Sequence, residues 1–177
     1  LLSLMKRTQF PPMLSWRLST VLLPACLLAT LLISIDMGAA AEHQDLGYSQ
    51  EGVEKVYERG MSAFRAGDYE TALYWFEILI DAFPESRLAD NALYWKGETH
   101  YSMKDYVAAA EAFDEVLERF PEGNKAPAAM LKLGLSHLEL GNWDYALRYL
   151  KEVLSVHPRT EASRLAEKRL KDLERSR

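Results

Sequence analysis

The sequence predicts an all-α fold: three helix-turn-helix repeats stacked into a superhelix, closed by a C-terminal capping helix. Three observations carry this. A phrase returns at a step of 37 residues, as Gly67-Asp68-Tyr69, Lys104-Asp105-Tyr106 and Gly141-Asn142-Trp143, each followed three positions later by Ala72, Ala109 or Ala146. The same step links Gly60, Gly97 and Gly134, then Phe76, Phe113 and Leu150, then Pro84, Pro121 and Pro158. Between these marks apolar residues recur every three or four positions, the period of an amphipathic helix. Units of fixed length that cannot bury an apolar face alone must stack, and a stack builds a continuous surface more readily than a catalytic pocket.

Each repeat divides into two helices. The first helices are expected at Gln50 to Ala66, Leu88 to Met103 and Ala126 to Leu140, and the second at Tyr69 to Phe83, Tyr106 to Phe120 and Trp143 to His157. Asp68, Asp105 and Asn142 stand where a side-chain oxygen can cap orphan N–H groups at the start of each second helix. Pro84, Pro121 and Pro158 end it, because proline lacks the donor and clashes with the preceding turn. Gly60, Gly97 and Gly134 on the first helices and Ala72, Ala109 and Ala146 on the second read as small residues on facing sides that let the axes approach. Lys104 takes the turn position held by glycine in the other repeats, at a cost of about 1 kcal/mol if that residue is left-handed. The repeats then run over residues 51–87, 88–124 and 125–159. The last helix, Thr160 to Arg175, is expected to lay Ala162, Leu165, Ala166 and Leu173 over the exposed flank of the third repeat.

The first 41 residues are of another class. Lys6, Arg7 and Arg17 precede an apolar run from Leu18 to Ile35, and Ala39-Ala40-Ala41 offers small residues to a signal peptidase, so the segment reads as an export signal cut between Ala41 and Glu42. Residues 42–50 form a short polar linker. Two alternatives stay open: retention of the apolar run as a membrane anchor, or lipidation of Cys26 in Leu23-Pro24-Ala25-Cys26. Cleavage implies a periplasmic product that does not span the membrane. The chain has 21 basic and 26 acidic side chains, and losing Lys6, Arg7, Arg17 and Asp36 leaves 18 and 25, a net charge of −7. That balance argues against nucleic acid, whose phosphates need clustered cations. Cys26 is the sole cysteine, so the remainder has neither a disulfide nor a cysteine ligand or nucleophile.

Candidate chemistry is thin. His100 and His137 are one repeat apart, but neither Cys, a third His nor a carboxylate holds the matching position in the first repeat, and a zinc site needs three or four converging ligands. Both read as packing histidines, as does His157 in the slot of Phe83 and Phe120. There is no phosphate loop, nucleophile elbow or His-Glu-x-x-His. Glu70, Glu77, Asp114, Glu115 and Glu118 have the spacing of solvated helix faces. No cofactor, metal or catalytic residue is therefore assigned, and the protein is read as a non-enzyme.

The small residue of each first helix, the Ala of each second helix and the closing Pro resemble the tetratricopeptide repeat, here with a period of 37 residues in place of the usual 34. The stretches Asp90 to Glu98, Lys125 to Leu135 and Arg164 to Lys171 resemble the C-terminal domain of the YbgF (CpoB) family of Tol-Pal proteins over about residues 52–175. That resemblance implies a periplasmic adaptor that binds TolA and a peptidoglycan synthase and coordinates wall synthesis with outer-membrane constriction during division. Members of that family commonly carry a trimeric coiled coil ahead of the repeats. Only Glu42 to Gln50 fills that place here, so a monomer is expected. In tetratricopeptide folds the first helices line a groove. The residues facing it would be Tyr57, Met61 and Phe64, then Asn91, Tyr94, Glu98 and Tyr101, then Leu131, Leu135 and Leu138, with Trp75, Trp95 and Trp143 packed in the core or between repeats. Such a wall suits a peptide or helix of another protein. The alternatives are an outer-membrane assembly or pilus-biogenesis repeat (lipo)protein resembling BamD, an inner-membrane-anchored scaffold, and an envelope enzyme acting on peptidoglycan.

Overall fold

A computed structural model describes residues 50–175 of the chain. Among them are seven helices: α1 Gln50–Ala66, α2 Tyr69–Ala82, α3 Ala89–Ser102, α4 Tyr106–Arg119, α5 Ala126–Glu139, α6 Trp143–Val156 and α7 Glu161–Arg175. Helices α1 and α2, α3 and α4, and α5 and α6 form hairpins across tight turns, each hairpin packs on the next, and α7 packs on α5 and α6. The expected export signal, its expected cleavage site at Ala41 and Glu42, Cys26 and the expected linker up to Ser49 lie outside the described residues. No helix among those described is long and apolar enough to cross a membrane.

Local chemistry sets the helix ends. Gly67 and Gly141 have φ of 76° and 75°, and Lys104 shares that left-handed conformation at 64°, so the middle turn carries a side-chain penalty that the other two avoid. Asp68 Oδ1 accepts the N–H of Thr71 and Asp105 Oδ1 that of Ala108, each at 3.2 Å. Asn142 does not cap: its amide nitrogen lies 3.5 Å from His137 Nδ1 instead. The second helices end one residue earlier than expected. Phe83, Phe120 and His157 are non-helical C-caps with φ from −124° to −134°, because a residue before proline is driven out of the helical region.

Inside each hairpin the close contact is not glycine against alanine. A Cβ on Gly60 would lie 2.6 Å from the ring of Phe76, one on Gly97 2.6 Å from Phe113, and one on Gly134 3.2 Å from Leu150. Phe76, Phe113 and Leu150 are fully buried and seat on the glycines, while Ala72, Ala109 and Ala146, also fully buried, fill the core beside them.

The terminal helix turns Ala162, Ala166 and Leu173 inward as expected, but not Leu165. Ala162, Ser163 and Ala166 are buried and Leu170 and Leu173 pack behind them, whereas Leu165 is 46 % exposed. Thr160 Oγ1 accepts the N–H of Ser163 and caps the helix. In the 37-residue register α7 is a fourth first helix, with Glu167, Lys171 and Glu174 in the places of Met130, Gly134 and His137. Those three are exposed.

Candidate functional site

The first helices carry the residues expected on the inner wall, and neighbouring ones are joined by a ladder of side-chain contacts. Trp95 of α3 meets Phe64 of α1 edge-on, ring centroids 5.0 Å apart. One repeat later, Lys132 of α5 stands at Trp95's position and lies 5.0 Å from the centroid of Tyr101 on α3. An aromatic contact in the first step thus becomes a cation–π contact in the second.

The residues expected on the wall fall into three groups. Tyr57, Met61 and Phe64 are partly buried against the main core; Tyr57 tilts on Phe76 at 6.3 Å and Phe64 on Tyr69 at 5.8 Å. On α3, Tyr94 packs on Phe113 at 5.6 Å and Trp95 at 5.8 Å, with Lys125 at 5.3 Å from its ring, and Tyr101 meets Tyr106 at 5.1 Å. Asn91 is only partly available, since its amide donates to Asp90 Oδ1 at 2.8 Å. On α5, Leu135 is partly buried, but Leu131 and Leu138 are 6 % and 8 % exposed and belong to the core shared with α7. Those two leucines do not line an open wall, because α7 occupies the place of the next first helix and covers them.

Glu98 is the polar centre. Lys132 Nζ lies 2.7 Å from one of its carboxylate oxygens and 2.8 Å from the other, with 16 % of the Glu98 and 24 % of the Lys132 side chain exposed. Met61 and Leu135 hold Glu98's position in the other repeats, so among the described residues this ion pair occurs once, between the middle and third repeats. Burial raises the Tyr94 phenol well above the ordinary tyrosine range, and the neighbouring Glu98 carboxylate adds to this. Burial likewise pushes Tyr101 up to about 12, reinforced by Glu139 and opposed by Arg169 of α7. Both phenols are therefore neutral donors at ordinary pH. Lys125 and Lys132 were not among the expected wall residues. Their signal was the repeat register, which puts Lys132 where Trp95 stands.

The histidines pack within hairpins. His137 stacks on Tyr149 at 5.7 Å with the planes 2° apart, and on Tyr145 at 5.3 Å. Burial lowers both His100 and His137 below the usual histidine value, against the opposing pull of Asp105 on the first and Asp114 on the second. Trp95 joins repeats as expected, and Trp75 is partly buried with the Arg59 guanidinium 4.7 Å above its ring. Trp143, expected in packing, is 50 % exposed at the start of α6. No cluster of three or more His, Cys, Asp or Glu that could hold a metal occurs among the described residues.

Two forms of the tetratricopeptide repeat pattern match, one over residues 40–87 and 57–124 and the other over residues 100–169. The chain belongs to the tetratricopeptide repeat family. Solved tetratricopeptide structures share its fold at low identity. The domain of Arabidopsis OM64 superposes with a TM-score of 0.58 at 17% identity, covering 69% of this chain and 96% of that one. The N-terminal domain of stress-induced protein-1 from C. elegans gives 0.58 at 15%, covering 67% and 94%. The first such domain of Spaghetti (RPAP3), solved bound to the HSP90 peptide SRMEEVD, gives 0.58 at 16%, covering 72% and 94%. No curated protein matches the sequence.

Proposed function

We propose that this chain is a periplasmic protein-binding adaptor of the Tol-Pal envelope system, without catalysis of its own, that engages TolA and a peptidoglycan synthase through the inner wall of its repeats. The observation that carries the binding role is the run of partly exposed aromatic side chains on α1 and α3, broken by one charged pair, Glu98 and Lys132. Aromatic groups supply large contact area with few rotamers to freeze, and the charged pair supplies orientation. That a related fold holds an HSP90 peptide supports a peptide-sized occupant. The envelope assignment rests on the apolar segment 18–35 with its Ala39-Ala40-Ala41 site and on the resemblance of residues 52–175 to the YbgF family.

Calorimetry with purified TolA tests this reading. Replacing Tyr101 with Ala is expected to weaken binding by about 1–3 kcal/mol with the fold retained. Phe113→Ala is expected instead to cost about 3–5 kcal/mol of stability, because it empties a fully buried site. A folded Tyr101→Ala protein that binds TolA like wild type would remove the inner wall from the interface. Intact-mass measurement of the envelope protein separates a chain starting at Glu42 from one lipidated at Cys26 or retained whole.

A further inference from the structure

The repeat register places one cleft twice on the second-helix side of the array. The first, about 230 Å³, lies between α2 and α4 and is bordered by the carboxylates of Glu77, Asp81 and Glu115. The second, about 500 Å³, lies between α4 and α6 and is bordered by Asp114, Glu118 and Glu152, which stand one repeat further on at the same three positions. Its apolar floor, Leu117 and Met130, likewise matches Ile80 and Leu93 of the first.

What differs is the cation content. In the first cleft Lys96 Nζ lies 3.1 Å from Glu77, and Arg119 lies 2.6 Å from Glu115. Leu133 and Val156 hold the positions of Lys96 and Arg119 in the second cleft. Arg148 borders that cleft, but its guanidinium stacks at 4.7 Å from the ring of Tyr149 and 5.4 Å from that of Tyr145. Among the described residues no ion pair reaches Asp114, Glu118 or Glu152. In the smaller cleft two carboxylates are thus paired by the chain's own cations, and the larger keeps the three carboxylates without those two cations.

We infer that the cleft between α4 and α6 is a second docking site, separate from the inner wall, for a basic segment of a protein partner whose Lys or Arg side chain lodges among Asp114, Glu118 and Glu152. Lys96 and Arg119 in the first cleft are the internal template for that occupant. The aliphatic stem of such a side chain lies along Leu117 and Met130 while its charge meets the carboxylates. The chain's negative balance, 26 acidic against 21 basic side chains, favours the same sign of partner.

The experiment titrates the ¹⁵N-labelled full chain with a synthetic peptide, acetyl-Gly-Leu-Arg-Leu-Lys-Gly-amide, and with a control in which citrulline and acetyl-lysine replace its two cations. Shifts are expected around Leu117, Met130 and Glu152, from the basic peptide only, and weaker at higher salt. Val156→Arg copies the pairing of Arg119 with Glu115 at a site 55 % exposed, and is expected to weaken binding about fivefold without disturbing the fold. Asp114→Asn combined with Glu152→Gln should weaken it about tenfold, and Tyr101→Ala should not alter it. Converting the first cleft with Lys96→Met and Arg119→Val is expected to raise the stoichiometry from one to two. Equal binding of the control, shifts centred on Tyr94 and Glu98, indifference to Val156→Arg in a folded protein, or no binding at millimolar peptide would each overturn the assignment.

Discussion

Each hairpin is closed by one glycine and the side chain that fills its missing Cβ. In the first two the partner is a phenyl ring, and a methyl group on Gly97 would have to stand 2.6 Å from Phe113. In the third the partner is Leu150, whose side chain leaves 3.2 Å at Gly134. Alanine also improves helix propensity by about 1 kcal/mol over glycine. Gly97→Ala is therefore expected to lose about 1–3 kcal/mol net as the ring is forced from its seat, and Gly134→Ala to stay within about 1 kcal/mol of wild type. Urea midpoints of the two variants decide this, and equal losses would show that the ring does not set the spacing.

At the scale of the element, the three hairpins are copies whose turns are unequally good. Lys104 holds a left-handed conformation that glycine adopts without penalty, so Lys104→Gly should add about 0.5–1 kcal/mol. Asn142 leaves the start of α6 without the side-chain cap that Asp68 and Asp105 supply. Asn142→Asp should add a similar amount, about 0.5–1 kcal/mol, by capping and by its charge at the helix N-terminus. The measurement is chemical denaturation with the slope unchanged. Histidine packing within the hairpins gives a further test. Burial holds His100 and His137 in the folded chain below the ordinary histidine value of about 6.5, so below that pH the unfolded chain binds more protons than the folded one. Stability should therefore be fully present above about pH 6.5 and fall as the pH drops through 6.5 toward the folded values. A drop between pH 7.5 and 5.5 that shrinks in His100→Gln and His137→Gln is the expected result; identical drops in the variants would assign it elsewhere.

For the whole array, α7 decides which face of the third repeat stays open. Its inner face is set by Ala162, Ser163 and Ala166, and Leu165 points to solvent. Leu165→Lys should change stability by no more than about 0.5 kcal/mol, whereas Ala166→Leu should cost about 1–3 kcal/mol by overfilling a fully buried position. Comparable losses in both variants would restore the setting expected from apolar spacing, with Leu165 turned inward beside Ala166. Together with Leu131 and Leu138 beneath it, this helix turns two expected wall residues into core.

The sequence by itself determined the repeat: its period, the helix pair in every unit, the turns and the proline stops. These are local properties, set by backbone dihedrals and by apolar side chains within one or two helical turns. That Tyr57, Met61 and Phe64 share one stripe of α1, and Asn91, Tyr94, Glu98 and Tyr101 one stripe of α3, was legible for the same reason, from spacings of three and four. Only the tertiary structure decided which side chains meet across helices. That glycine seats a phenyl ring, that Lys132 replaces Trp95 in the ladder and pairs with Glu98, that Asn142 turns toward His137, and that Leu131 and Leu138 lie under α7 all depend on the rotation of one helix about its axis against the next. A rotation of one residue, about 100°, exchanges a buried neighbour for an exposed one while leaving the apolar period intact. The period therefore names the helices, and packing chooses the face.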